Sequence, residues 1–198
     1  MGIDLGVKET AIVAFGNEKI IFHNINKSKK VQDLIKKKKR LQRSVSRKYE
    51  MNKQGNKYIK TKNIIKEEEK IRKIWHRLNG IRQNYNHQMT AKLVNLLPAQ
   101  IVVEDLNVAG MMKNKHLAKA IQEQSFYEII RQIEYKCKFN NIPFYKADRF
   151  YPSSKTCSNC GNIKKDLKLS DRTYVCPECG LVIDRDYNAA LNLQRYKV

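Results

Sequence analysis

The chain is short of several things, and each shortage narrows what it can be. No apolar run approaches the roughly 20 residues that a membrane-spanning helix requires, so no span is expected and a bilayer is not the expected partner. Met1 leads straight into Gly2-Ile3-Asp4 with neither a basic leader nor a cleavable apolar segment, so no export signal is recognisable and a cytoplasmic location is expected. Acidic residues are scarce: 19 Asp and Glu stand against 40 Lys and Arg, a formal net charge of +21. Solubility does not require such an excess, and a polyanionic partner is the simplest explanation. Large apolar residues are also thin from Tyr151 to Ile183, where Ser, Cys, Gly, Asp and Lys dominate, so that segment needs something other than an ordinary core. At 198 residues the chain has length for one substantial core and a small appended module with its own staple.

Four of the five cysteines supply that staple. Cys157-x-x-Cys160 and Cys176-x-x-Cys179 are separated by fifteen residues, a spacing expected of a two-knuckle zinc site. Gly161 and Gly180 follow the pairs and relieve the tight turns that aim backbone amides at thiolates. Four sulfurs would close a tetrahedral shell with no open position, so the expected zinc is structural. Two disulfides would fit a secreted chain better than this one. Cys137 reads as core filler.

Three acidic residues stand at the ends of apolar runs: Asp4 after Ile3, Glu104 after Ile101-Val102-Val103, and Asp186 in Asp184-Arg185-Asp186-Tyr187-Asn188. An ionised carboxylate beside such residues is costly unless a cation or hydrogen bonds meet it. Carboxylates gathered from distant strand and helix ends can hold two magnesium ions, which about 3.5–4 Å apart suit in-line attack on a phosphodiester. Asp184 and Asp186 compete for the helix N-cap role, and Asp186 is the preferred cation ligand because it lies nearer the helix.

Between these positions the pattern alternates between strand and helix. Residues 10–15 and 19–22 are β-prone runs divided by Gly16-Asn17, and with Ile3 they predict a three-strand meander. Val31, Leu34, Ile35, Leu41 and Val45 recur at helical spacing among cations, and a second helix is expected from Asn63 to Leu97, before Pro98, roughly 50 Å long. Residues 52–61, with Gly55, read as a loop joining the two helices. Lys36, Lys37, Arg40, Arg43, Arg47 and Lys48 have few acids on their own helix to balance them and are the candidate phosphate contacts, with steep salt dependence expected. Trp75, at helical spacing, is assigned to the core. Ile101-Val102-Val103 reads as a buried central strand with Glu104 at its carboxyl end, residues 107–115 as a loop, residues 126–137 as a helix, 142–147 as a strand and 188–193 as a short helix whose alanines permit close packing. The four histidines form no interpretable spacing, and there is no internal repeat.

Taken together, Gly2-Ile3-Asp4-Leu5-Gly6, Val103-Glu104-Asp105-Leu106-Asn107, the stretch Pro152 to Gly161, Cys176-Pro177-Glu178-Cys179-Gly180 and the stretch Asp184 to Ala190 resemble the TnpB (OrfB) family of transposon-encoded proteins related to the type V CRISPR effectors. The resemblance runs along nearly the whole chain. It implies an α/β, RNase H-like (RuvC) fold: a mixed sheet flanked by helices, with a long helical hairpin and an inserted zinc ribbon. The implied organisation is a nuclease core over 1–150 carrying a basic hairpin at 27–98, a zinc ribbon over 151–183, and a final motif and helix over 184–198. The implied activity is a metal-dependent, RNA-guided DNA endonuclease of a transposable element, with DNA and guide RNA as partners. On this sequence the family's Mg²⁺- or Mn²⁺-binding acids fall on Asp4, Glu104 and Asp186, with Asp4 bridging the two ions. Family members carry a substantial region before the first acidic motif, whereas this chain begins three residues before Asp4. A truncated form is therefore expected, with a short first strand that loses part of its ladder; the alternative is a non-catalytic nucleic-acid-binding remnant or regulator of transposition.

Overall fold

The computed structural model describes residues 1–168 and 170–197; Leu169, inside the expected ribbon, and Val198, at the end of the expected last segment, lie outside the described residues. Its centre is a five-stranded mixed sheet. The meander forms as expected from β1 (Gly2–Leu5), β2 (Glu9–Phe15) and β3 (Glu18–His23), with Gly16 at φ 58° making the turn. β6 (Ile101–Glu104) and β7 (Phe144–Ala147) add in parallel on the far side of β1. β1 keeps a ladder on both sides, contrary to the expected loss: Gly2 to Leu5 all pair with β2, Gly2 and Ile3 pair with β6, and the Val102 N–H reaches the Met1 carbonyl at 2.9 Å.

Side chains alternate across a strand, so Gly2 and Asp4 share one face while Ile3 and Leu5 occupy the other. The Gly2 face is covered by α6 (Arg185–Gln194), whose Ala190 packs with Ile12 and Ala14 and whose Leu193 packs with Val102 and Ala147. The helix lies unusually close. A Cβ on residue 2 would stand 2.1 Å from the Ala190 carbonyl oxygen and 2.2 Å from the Gln194 nitrogen, both backbone atoms. Gly2→Ala therefore cannot be absorbed by a rotamer change; it must push the helix off the sheet. The expected cost is about 3 kcal/mol, the upper end of ordinary overpacking, read as a lower urea midpoint at unchanged m-value. A midpoint equal to wild type would contradict the close approach.

α1 (Lys29–Met51) is capped by Ser28, whose hydroxyl accepts from the Val31 N–H, and α2 runs over Lys62–Asn95, two residues short of the expected end, with Leu97 at φ 48°. The chain divides into two compact units, Met1–Asn24 with Asn86–Val198, and Ile25–Tyr85. Within the second unit, Val31 and Ile35 of α1 pack on Ile74 and Leu78 of α2, the face that the helical spacing marks. The expected loop at 52–61 instead contains a two-rung hairpin, β4 (Lys53–Gln54) with β5 (Lys57–Tyr58), which Gly55 permits at φ 57°.

In the first unit, two short helices replace irregular chain. α3 (Val108–Met112) is started by Asn107, whose side-chain oxygen accepts from the Gly110 N–H at 2.9 Å, and α4 (Ala118–Gln124) follows. α5 (Phe126–Phe139) buries Phe126, Ile129, Ile133 and Cys137 as its periodicity requires. The last strands, β8 (Thr173–Val175) and β9 (Val182–Asp184), form an antiparallel pair of their own. α6 begins at Arg185 rather than near Asn188, which places Asp186 in its first turn. Among the described residues no helix is long and apolar enough to cross a membrane.

Candidate metal and nucleic-acid sites

Asp4 and Glu104 become neighbours through register. Ile3 stands opposite Val103 in the parallel β1/β6 pair, so the next residue on each strand is a carboxylate. Asp186 reaches the same place from α6. Asp184 takes the cap, its Oδ1 accepting the Tyr187 N–H at 2.9 Å, and this leaves Asp186 free of that duty. Asp4, Glu104 and Asp186 line one cavity of about 320 Å³. Lys8, Lys155, Lys168, Arg172 and Arg185 line it too. No periodicity or spacing in the sequence marks these cations, because four of them come from loops.

Three acids in one recess repel each other. Burial first, then the charges of Glu104 and Asp186, hold the Asp4 carboxyl well above the usual carboxylate range, with Arg185 pulling the other way. Glu104 is also raised, chiefly by burial, against the opposing hydrogen bond from the Ser153 hydroxyl to its Oε1. Arg185 lies over Asp186, its Nε and Nη2 at 3.1 and 3.0 Å from Oδ1, and Arg172 approaches Oδ2 at 3.9 Å. Among the described residues the four cysteines are the set of metal-ligand types whose donor atoms all lie within 4.8 Å of one another; the carboxylates are spread more widely, with Asp186 held on Arg185. Hard carboxylate oxygens gathered in one recess are the donor type that Mg²⁺ or Mn²⁺ takes.

The cysteine quartet is geometrically closed. Cys157 and Cys179 sulfurs lie 3.6 Å apart, and those of Cys160 and Cys176 3.5 Å apart. A tetrahedral zinc with 2.3 Å bonds spaces its sulfurs by about 3.8 Å, so the quartet fits such an ion. The two knuckles repeat one turn: the Gly161 N–H bonds to the Cys157 carbonyl and the Gly180 N–H to that of Cys176, with φ 79° and 71° at the glycines. The thiols of the quartet are pushed apart in acidity: hydrogen bonding by the Asn159 side chain and the Leu181 backbone lowers Cys179 to about 6, whereas, against a backbone bond at Asn162, burial and the neighbouring sulfurs push Cys160 up to about 12. Behind the sulfurs the buried Tyr174 sends its hydroxyl to the Lys155 and Asn162 carbonyls at 3.2 and 3.4 Å.

The cationic positions on α1 do not all share one fate. Lys36, Lys37, Arg40, Arg43 and Arg47 line one groove along the helix together with Asp33. Lys48 is directed elsewhere, to Glu67 of α2 at 2.6 Å, so part of the α1 charge is balanced across the hairpin after all. Trp75 is not core: it is 42% exposed, with Lys38 Nζ 3.6 Å from its ring centroid. A cation seated on an indole face stabilises an exposed position that spacing alone would bury.

Comparisons with known proteins follow this layout. The family OrfB_IS605, described as "Probable transposase", matches residues 1–115, and the Cas12f1-like TNB domain matches residues 126–193. A "Putative RNA-guided DNA endonuclease" from Streptomyces pristinaespiralis is 36% identical over 131 residues, covering 66% of this chain and 32% of that protein. The protein of Mycobacterium tuberculosis that bears the same description with the label Rv2885c is 28% identical over 203 residues, covering 100% of this chain and 41% of its own length. The chain thus spans about a third to two-fifths of the length of these curated relatives. A chain in the cryo-EM structure of a Cas12f1-sgRNA-target DNA complex superposes with a TM-score of 0.64 at 20% identity, over 97% of this chain and 48% of that one.

Proposed function

This chain belongs to the OrfB_IS605 family of transposases, and we propose that its carboxylate cavity is the centre of a metal-dependent, RuvC-type DNA endonuclease of a transposable element, directed by a guide RNA. The observation that carries the reading is the convergence of Asp4, Glu104 and Asp186 in one recess that cations of the chain also line. The names of the relatives, RNA-guided DNA endonucleases, support the substrate class.

In this reading Asp4, Glu104 and Asp186 hold two Mg²⁺ or Mn²⁺ ions. Such ions, when bound, acidify an attacking water and neutralise charge on the departing 3′ oxygen. The chain's own residues do the rest. Ser153 fixes one oxygen of Glu104 and leaves the other available. Arg185 balances Asp186 until a cation does so. Lys155, Lys168 and Arg172 line the cavity where a phosphodiester enters and neutralise its flanking phosphates. The four cysteines hold a structural zinc that shapes this wall, and Lys36, Lys37, Arg40, Arg43 and Arg47 track a nucleic-acid backbone.

The test is cleavage of end-labelled single-stranded DNA by the purified protein, with and without the guide RNA of its own locus, in Mg²⁺ or in EDTA. Products with 5′-phosphate and 3′-hydroxyl ends are expected in Mg²⁺ alone. Retention of DNA with no metal-dependent products under any condition would replace this reading with that of a nucleic-acid-binding protein that does not cut.

A further inference from the structure

Ser153 stands where the cysteine module meets the carboxylate cavity. It is buried, its hydroxyl donates to Glu104 Oε1, and its carbonyl accepts from Asn192 Nδ2 at 2.7 Å. Asn192 Nδ2 also reaches the Thr156 carbonyl at 2.7 Å. One turn earlier, Asn188 Nδ2 donates to the same carbonyl at 2.6 Å, while its Oδ1 accepts the Ser158 N–H at 2.9 Å. Asn188 and Asn192 are both buried and stand four residues apart, on one face of α6. Thr156 and Ser158 flank Cys157, the first thiol of the quartet. Asp186 lies two residues before Asn188 on the same helix.

These bonds form one connected set. Two asparagine amides grip the backbone on either side of a cysteine, one of them grips Ser153 as well, and Ser153 holds a carboxylate. The helix that bears both asparagines also aims Asp186. Buried amides of this kind have discrete geometries, so the backbone they hold cannot drift without breaking bonds that water does not replace.

We propose that Ser153, Asn188 and Asn192 are positioning residues that couple metal occupancy of the cysteine quartet to divalent-cation affinity at Asp4, Glu104 and Asp186. The proposal rests on the reading of those carboxylates as cation ligands. A module folded around its metal presents the 153–158 backbone to α6 in one conformation, and the hydroxyl of Ser153 then fixes Glu104. Without that conformation Glu104 loses its partner and α6 loses its anchor. Linkage makes the effect reciprocal, so cations in the cavity also slow loss of metal from the cysteines.

Mn²⁺ binding to the full chain by isothermal titration calorimetry, with zinc release to a chromophoric chelator measured in parallel, tests it without any cleavage assay. Ser153→Ala is expected to weaken Mn²⁺ binding by about 10- to 100-fold at full zinc content, the usual effect of removing a partner of a metal ligand, and Ser153→Thr to restore it. Asn192→Ala is expected to weaken Mn²⁺ binding and to hasten zinc release. In wild type, Mn²⁺ slows zinc release; in Ser153→Ala it does so less. Mn²⁺ affinity unchanged in Ser153→Ala, or zinc release indifferent to Mn²⁺ in wild type, overturns the proposal. Should wild type bind no Mn²⁺, or Asp4→Asn bind it equally well, the carboxylate reading itself fails, which is a separate result.

Discussion

Asp4→Asn is expected to lower metal-dependent cleavage by on the order of 10³-fold or more, while making the metal-free protein more stable. The first effect follows from the proposed ligand role: if Asp4 is one of three cation-holding carboxylates, its loss removes charge stabilisation worth several kcal/mol, at about 1.4 kcal/mol per tenfold in rate. The second follows from what surrounds Asp4. Burial and the Glu104 and Asp186 charges hold its carboxyl well above the unfolded value of 3.8. A group raised in this way contributes stability in full below that unfolded value and loses it as pH rises through the folded one. At neutral pH in EDTA the Asp4 carboxyl is therefore a net cost, whether as a buried charge or as a proton taken up on folding, and asparagine removes it while keeping the shape. Thermal unfolding in EDTA should show wild type losing stability relative to the variant from acid to neutral pH, and Mg²⁺ should shrink the gap. A variant that cuts normally, or that melts below wild type in EDTA at neutral pH, is incompatible with this account.

Stripping metal from the cysteine quartet should produce the largest structural effect. The module has few large apolar side chains: Tyr174 is fully buried, and Leu167, Leu181 and Ile183 pack only partly buried around it and around Cys157 and Cys176. Structural zinc in such small modules contributes about 10–16 kcal/mol of apparent binding free energy at neutral pH, far more than this cluster can replace. Cys176→Ser, or prolonged exposure to a strong chelator, should abolish amide protection at Cys157, Gly161, Cys176 and Gly180, whose N–H groups all bond within the knuckles. Hydrogen exchange across 153–181 measures this, and protection that survives metal removal would show that the module holds itself together.

Much of the framework is legible in the sequence because it obeys simple periods. β-Prone runs divided by Gly16-Asn17 mark the meander, Ile101-Val102-Val103 marks a strand buried on both faces, and the three-four spacing of Val31, Ile35, Ile74 and Leu78 marks the hairpin seam. What escapes is set by single contacts. Asn107 starts α3 with one side-chain bond, and no hydrophobic period announces a helix of that length. In Asp184-Arg185-Asp186 two residues suit the cap equally from sequence; the strand β9, by bringing Asp184 to the helix start, decides between them. Lys48 and Trp75 depart from expectation because their partners, Glu67 and Lys38, lie on the opposite helix of the hairpin. Ser153 carries no spacing signal at all, and its role exists only where β6 and the cysteine module meet.

The strand order has a consequence for how the protein is made. Residue 4 acquires its neighbour only when residue 104 enters the sheet beside it, and the third carboxylate arrives with α6, over Arg185–Gln194. Contacts of such long separation close late. During synthesis the carboxylates therefore gather in two stages: Asp4 and Glu104 can meet once β6 pairs with β1, and Asp186 joins them only after α6 has been made and docks on the sheet.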